Sequence, residues 1–167
     1  VYKRQGFILY QFAEKVEESG LGSMEDFIQE TERIYQERYS GSFGNDQLYY
    51  SLEGYLFPDT YNFSANGTIS QIVERVVDTG ESLWTADMDA KREALGMTRH
   101  QIMTLASLIE REAYNDDERS IISGVIFNRI VEGMPLQIDA TVIYGIGEGK
   151  EHMTRVLYED LESDNPF

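Results

Sequence analysis

Carboxylates are the plentiful acid–base groups of this chain. Its 167 residues hold 30 Asp+Glu, two histidines (His100 and His152) and no cysteine. Thiol nucleophiles, disulfide frameworks and Cys-based zinc sites are thereby excluded, and two distant imidazoles give no ligand spacing for a metal. Neither metal nor cofactor is expected. The chain has no G-x-S-x-G elbow, no Walker loop and no H-E-x-x-H, and Gly145-Ile146-Gly147-Glu148-Gly149 lacks the third glycine of a dinucleotide fingerprint, so it reads as a surface loop. What remains is a carboxyl group acting as proton donor and acceptor.

The segment Ala106-Ser107-Leu108-Ile109-Glu110-Arg111-Glu112-Ala113 carries the sharpest candidate. On a helical wheel Ile102, Leu105, Ala106, Ile109 and Ala113 form one stripe, and Glu112 falls about 70–80° from its centre. Glu112 also stands in the last turn, where the negative helix end and partial burial both favour the protonated form a general acid needs. Spacing alone leaves open that it is simply a solvated edge residue. A second candidate stretch, residues 52–61, sets Glu53 and Asp59 among Tyr55, Phe57 and Tyr61. Aromatic faces with interleaved acids suit sugar rings, which present C–H patches and hydroxyls, but the same pattern fits a core-packing loop with Asp59 turning after Pro58. Gln137 and Asp139 fit a pocket wall or, for Asp139, a helix cap.

The elements that must hold these residues are mostly helical. Leu9, Phe12, Ala13 and Val16 predict a first helix stopped by Gly20, and Ser23 caps a second with Phe27, Ile28, Ile34 and Tyr35 inward. Gly, Asn, Ser and aromatics make residues 40–67 extended and looped. Thr68 opens a third helix that could continue past Gly80 to Trp84, and Thr98 opens one running to about Tyr114. Asn115 or Asp116 starts the next, with Ile121, Ile122, Val125, Ile126 and Ile130 inward and Gly133 as its stop. Asp139 is expected to cap a brief helix through Tyr144, and a last helix is expected near residues 155–161.

The net charge is −16, with each half of the chain at −8. A uniform negative field disfavours nucleic acid as a partner. Val1 in place of an initiator Met, and the stop at Asn165-Pro166-Phe167, suggest a fragment of something longer.

Four ordered blocks resemble the YceG/MltG family of membrane-anchored endolytic murein transglycosylases. Residues 52–61 are similar to its L-E-G-x-x-x-P-D-T-Y block, and residues 106–112 to its A-S-[LI]-[IV]-E-[KR]-E helix. Glu118-Arg119 with Val125-Ile126-Phe127-Asn128-Arg129 resembles its E-R…V-F-x-N-R helix, with Ile126 where Phe is usual. Residues 133–145 follow its G-M-x-L-Q-x-D-x-T-V-x-Y-G block. The front also resembles a LysM-like subdomain, although Lys3-Arg4-Gln5 departs from the I-P-E expected before Gly6.

The resemblance implies an α+β, mostly helical, lysozyme-like catalytic domain over residues 46–167, incomplete at its C-terminus, behind a partial LysM-like subdomain over residues 1–45. It implies cleavage of the β-1,4 bond between N-acetylmuramic acid and N-acetylglucosamine in peptidoglycan strands, with Glu112 first as acid and then as base. The 6-hydroxyl of the muramyl sugar attacks its own anomeric carbon, so one carboxylate suffices where an ordinary glycosidase uses two. Glu53, Tyr55, Asp59, Tyr61, Gln137, Asp139 and Tyr144 are implied to line the cleft or orient Glu112. Peptidoglycan synthases and cell-wall elongation or division proteins are the implied protein partners. A single-pass N-terminal anchor outside this chain would hold the domain on the extracytoplasmic side of the cell membrane. The competing class is a non-catalytic glycan-binding or scaffold protein of the same machinery.

Overall fold

Five of the seven helices among the described residues begin where a Ser, Thr or Asn side chain accepts a backbone N–H of the first turn, which is why these segments start where they do. The structure, a computed structural model, describes residues 1–3, 5–42, 48–64, 66–150 and 156. The helices are α1 (Leu9–Glu18), α2 (Met24–Arg38), α3 (Ile69–Ser82), α4 (Ala86–Ala94), α5 (Arg99–Glu112), α6 (Asp116–Glu132) and α7 (Asp139–Ile146). The helix expected near residues 155–161, the Asn165-Pro166-Phe167 end and Arg4 lie outside the described residues.

The chain divides into two compact units, one spanning Val1–Met103 and one beginning at Thr104. In the first, α2 packs on both α1 and α3. Phe12 and Phe27, both fully buried, meet edge to face with ring centroids 5.5 Å apart. Val73 and Val76 of α3, and Leu52 and Leu56 of the intervening loop, close the same core. The expected division at 45/46 falls in undescribed chain, and helices on both sides of it share this core. Arg38 of α2 reaches Asp78 of α3 at 2.5 Å on the exposed rim, where such a pair contributes little.

Residues 52–61 form turns and extended chain, as their Gly and Pro punctuation predicts. Their β content is minimal. Among the described residues there is no strand, only an isolated antiparallel bridge between Tyr2 and Thr60. The α+β expectation thus reduces to its helical part.

Three helix boundaries differ from expectation. The third helix stops at Ser82, and α4 follows as a separate element with no buried residue. Its sequence has no apolar stripe to betray it, only the Thr85 cap and the first-turn acids Asp87 and Asp89. Helix α5 ends at Glu112, two residues early, because Asn115 caps α6 and leaves Ala113 and Tyr114 as the corner. Ile138, not Asp139, stands at the cap position of α7, and Asp139 is its first residue.

The second unit buries Leu105, Ile126 and Ile138. Of the α6 residues expected to face inward, Ile121, Val125 and Ile130 are 68%, 47% and 41% exposed. Apolar spacing marks a face that gains from burial, and no described neighbour covers these positions. Gly133 ends α6 at φ 66°, as its left-handed stop role requires.

Candidate active site

Of the residues singled out by sequence, Glu53, Tyr55, Asp59 and Tyr61 belong to the first unit, and Glu112, Gln137, Asp139 and Tyr144 to the second. Each group is described by itself.

In the first unit most of the polar atoms are already committed. The two Glu53 oxygens accept the Leu9 backbone N–H at 3.1 and 2.9 Å, and one accepts Gly54 N–H at 3.3 Å. Leu9 is the first residue of α1, so this carboxylate closes a helix start whose own cap position is the apolar Ile8. The Tyr61 hydroxyl donates to the Phe57 carbonyl at 2.8 Å, and its ring stacks on Phe63. Tyr55 is buried with its ring parallel to that of His100, centroids 6.1 Å apart, and its hydroxyl is 3.4 Å from His100 Nδ1. Burial raises the phenol pKa of both tyrosines. Asp59 is exposed, and its carboxylate accepts the Thr60 N–H at 2.6 Å.

Burial pushes Glu53 from its ordinary 4.5 up to about 7, against the opposing pull of the Leu9 N–H and the Lys3 charge. Burial likewise pushes the Lys3 ammonium from 10.5 down to about 8, against the Glu53 charge. A carboxyl with a raised folded pKa binds its proton more tightly when folded, so its contribution to stability falls as pH rises from 4.5 to 7. An amine with a lowered folded pKa binds its proton less tightly when folded, so its contribution rises from pH 8 to 10.5. The pair therefore weighs most against stability between pH 7 and 8. Denaturant titrations of wild type and the Lys3→Met/Glu53→Gln double variant from pH 4.5 to 10.5 are expected to differ most there. The wild-type curve should dip by about 3 kcal/mol from either flank relative to the variant, and a difference constant across pH would refute the assignment.

The second unit presents Glu112 differently. It is the last residue of α5, exposed, and among the described residues no hydrogen bond or ion pair holds its carboxylate. The wheel placed it at the edge of the apolar face with partial burial, and the structure shows it on the solvent side of that edge. Most nearby acids are engaged. Glu110 pairs with Arg119 Nη1 at 2.5 Å, and Asp116 with Arg119 Nε at 2.9 Å. Glu118 accepts Tyr114 N–H at 2.9 Å and Asn115 Nδ2 at 3.1 Å, while Asn115 Oδ1 accepts the N–H groups of Asp117 and Glu118. The carboxylates of Glu112 and Asp117 are left available at this corner.

Gln137 and Asp139 are exposed on the loop into α7 and its first turn, and Tyr144 is half-buried in α7. Gln137 holds φ at 51°, the left-handed region that few side chains other than Asn and Asp enter. The preceding Leu136 carbonyl accepts a short bond from Arg129 Nη1. Arg119 and Arg129 stand in the motif blocks without an assigned role, and spacing gives no sign of their contacts, which span an interhelix corner and a loop. Among the described residues no three His, Asp or Glu side chains gather as metal ligands, and no helix is long and apolar enough to cross a membrane.

The arrangement is an exposed carboxylate, unpaired among the described residues, at a helix end, in a corner where Glu110, Asp116 and Glu118 are tied down. The family comparisons give this carboxylate a context. The YceG-like family model matches residues 3–167. The chain is 36% identical over 145 residues to the endolytic murein transglycosylase of Bacillus subtilis, a match that takes in 86% of this chain and 39% of that protein. It is 33% identical over 118 residues to the endolytic murein transglycosylase of Streptococcus pneumoniae, covering 69% of this chain and 20% of that one. The crystal structure of a YceG-like protein from Listeria monocytogenes superposes with a TM-score of 0.85 at 28% identity, over 99% of this chain and 57% of that chain. The chain thus spans about two fifths of the Bacillus relative and one fifth of the Streptococcus one. Since the family model runs over nearly its whole length, the chain belongs to the YceG-like family.

Proposed function

We propose that the protein is an endolytic murein transglycosylase, cutting the β-1,4 bond between N-acetylmuramic acid and N-acetylglucosamine within peptidoglycan strands. The observation that carries this reading is the free, exposed Glu112 carboxylate at the end of the Ala106–Glu112 motif, in a chain whose relatives bear that enzyme's name. Glu112 protonates the glycosidic oxygen, the bond to the anomeric carbon breaks, and the carboxylate then takes the proton of the muramyl 6-hydroxyl as that oxygen attacks the same carbon. The products are a 1,6-anhydro-muramyl end and a free 4-hydroxyl on the departing sugar. No water is consumed, so no second carboxylate is needed.

Asp59, Gln137 and Asp139 are exposed and suited to meeting sugar hydroxyls. Glu53, Tyr55 and Tyr61 are bonded into the first unit and serve by shaping it. Because murein is itself anionic and this chain carries −16, recognition rests on short-range stacking and hydrogen bonds and not on long-range attraction. We assign the domain to the extracytoplasmic side of the cell membrane, where an anchored protein meets nascent strands and the enzymes that make them.

Mass spectrometry of purified murein digested with the full-length protein tests this. Anhydro ends that disappear in Glu112→Gln are the expected result. Reducing ends would indicate a hydrolase, and murein binding without any cleavage would favour a glycan-binding scaffold.

A further inference from the structure

Helix α6 carries an arginine near each end, and each reaches out of the helix to a residue beside one of the proposed site residues. Arg119 joins Glu110, two residues before Glu112, to Asp116 at the start of α6. Arg129 donates to the Leu136 carbonyl, one residue before Gln137, whose backbone is held at φ 51°. Both bonds are part-buried, and a left-handed non-glycine residue costs roughly 1–3 kcal/mol and persists only where its surroundings impose it.

We propose that Arg119 and Arg129 are positioning residues that make α6 the frame of the cleavage site, Arg119 fixing the end of α5 that bears Glu112 and Arg129 fixing the loop that presents Gln137. The proposal rests on the transglycosylase reading and deepens it. The chemistry explains why arginine is used twice. Its planar fork bonds two groups in fixed directions, as Arg119 does with Glu110 and Asp116, where a lysine would be a single point charge. Two short links, residues 113–115 at one end of α6 and residues 133–138 at the other, leave little slack once the arginines are engaged. Both braces act within the second unit.

The test uses full-length Arg119→Met, Arg119→Lys and Arg129→Met beside Glu112→Gln. The cleavage rate at saturating purified murein, sedimentation binding to the same murein, and Tm are measured for each. Methionine keeps the apolar stem and removes the donors. The expected result is a rate lowered ~10–100-fold in both Met variants, as for a displacement of the catalytic group of order 1 Å. Binding should stay within about 2-fold, since the lost interaction acts only on the reacting geometry. Arg119→Lys should recover part of the rate by keeping one of the two bonds. Folded Met variants with the full wild-type rate would overturn the proposal, as would rates in Met and Lys variants that fall only in step with Tm. If Glu112→Gln is inactive while the arginine variants are fully active, this proposal alone fails. If wild type releases no anhydro ends the transglycosylase reading fails, and if Glu112→Gln keeps the wild-type rate Glu112 leaves the mechanism; either result takes the proposal with it.

Discussion

Replacing Glu112 by Gln is expected to lower murein cleavage by ~10²–10⁴-fold, the range a general acid–base group supplies. The variant keeps the size of the side chain and removes the titratable carboxyl function. Because the carboxylate is exposed and, among the described residues, unpartnered, the substitution breaks no bond that holds the fold. Stability should therefore stay within about 0.5 kcal/mol of wild type. The neighbouring Glu110→Gln gives the contrast, since that carboxylate is bonded to Arg119. It should lose rate by misplacing the corner and recover none of it with pH. Equal activity of wild type and Glu112→Gln, measured as anhydro-muropeptide release from purified murein, would remove Glu112 from the mechanism.

The largest effect on stability is expected at Phe12. Its ring is fully buried, packs edge to face on Phe27, and sits where α1 and α2 meet. Phe12→Ala removes the ring from a position with no solvent on any side, and should cost about 3–5 kcal/mol through lost burial and the cavity left behind. Phe12→Leu should recover more than half of that loss by refilling most of the volume. Equilibrium denaturation measures both. A Phe12→Ala cost under about 1 kcal/mol would mean that the two helices do not share a packed core.

Much of the helical framework was legible in the sequence because its signals are local. Ser23, Thr68 and Thr98 each sit three residues before the N–H they accept, and Asn115 and Gly133 bracket α6, so a short window contains the whole cause. Helix α4 was not legible, since nine residues with no buried side chain leave no periodicity to read. Nor was the placement of Ile121, Val125 and Ile130, because a wheel reports which side of a helix is apolar and not what lies against it. For the same reason the wheel leaves Glu112 either partly buried or solvated at the stripe's edge, and the fold puts it on the solvent side. Glu53 shows the limit most clearly. Its type and aromatic neighbours fit a sugar cleft or a core-packing loop, and its carboxylate closes the start of a helix 44 residues earlier in the chain. Only the tertiary fold brings that donor and acceptor together.

The shared core of the first unit also bears on inheritance. Phe12 and Phe27 come from chain before residue 43, Leu52 and Val73 from chain after residue 48, and all four are fully enclosed in one cluster. Helices α1 and α2 are thus no cassette that recombination could exchange alone, since cutting between them and α3 would leave both pieces with an open apolar face. The smallest segment that could be shuffled intact is the whole first unit, Val1–Met103, carrying the Glu53 closure and the aromatic loop with it.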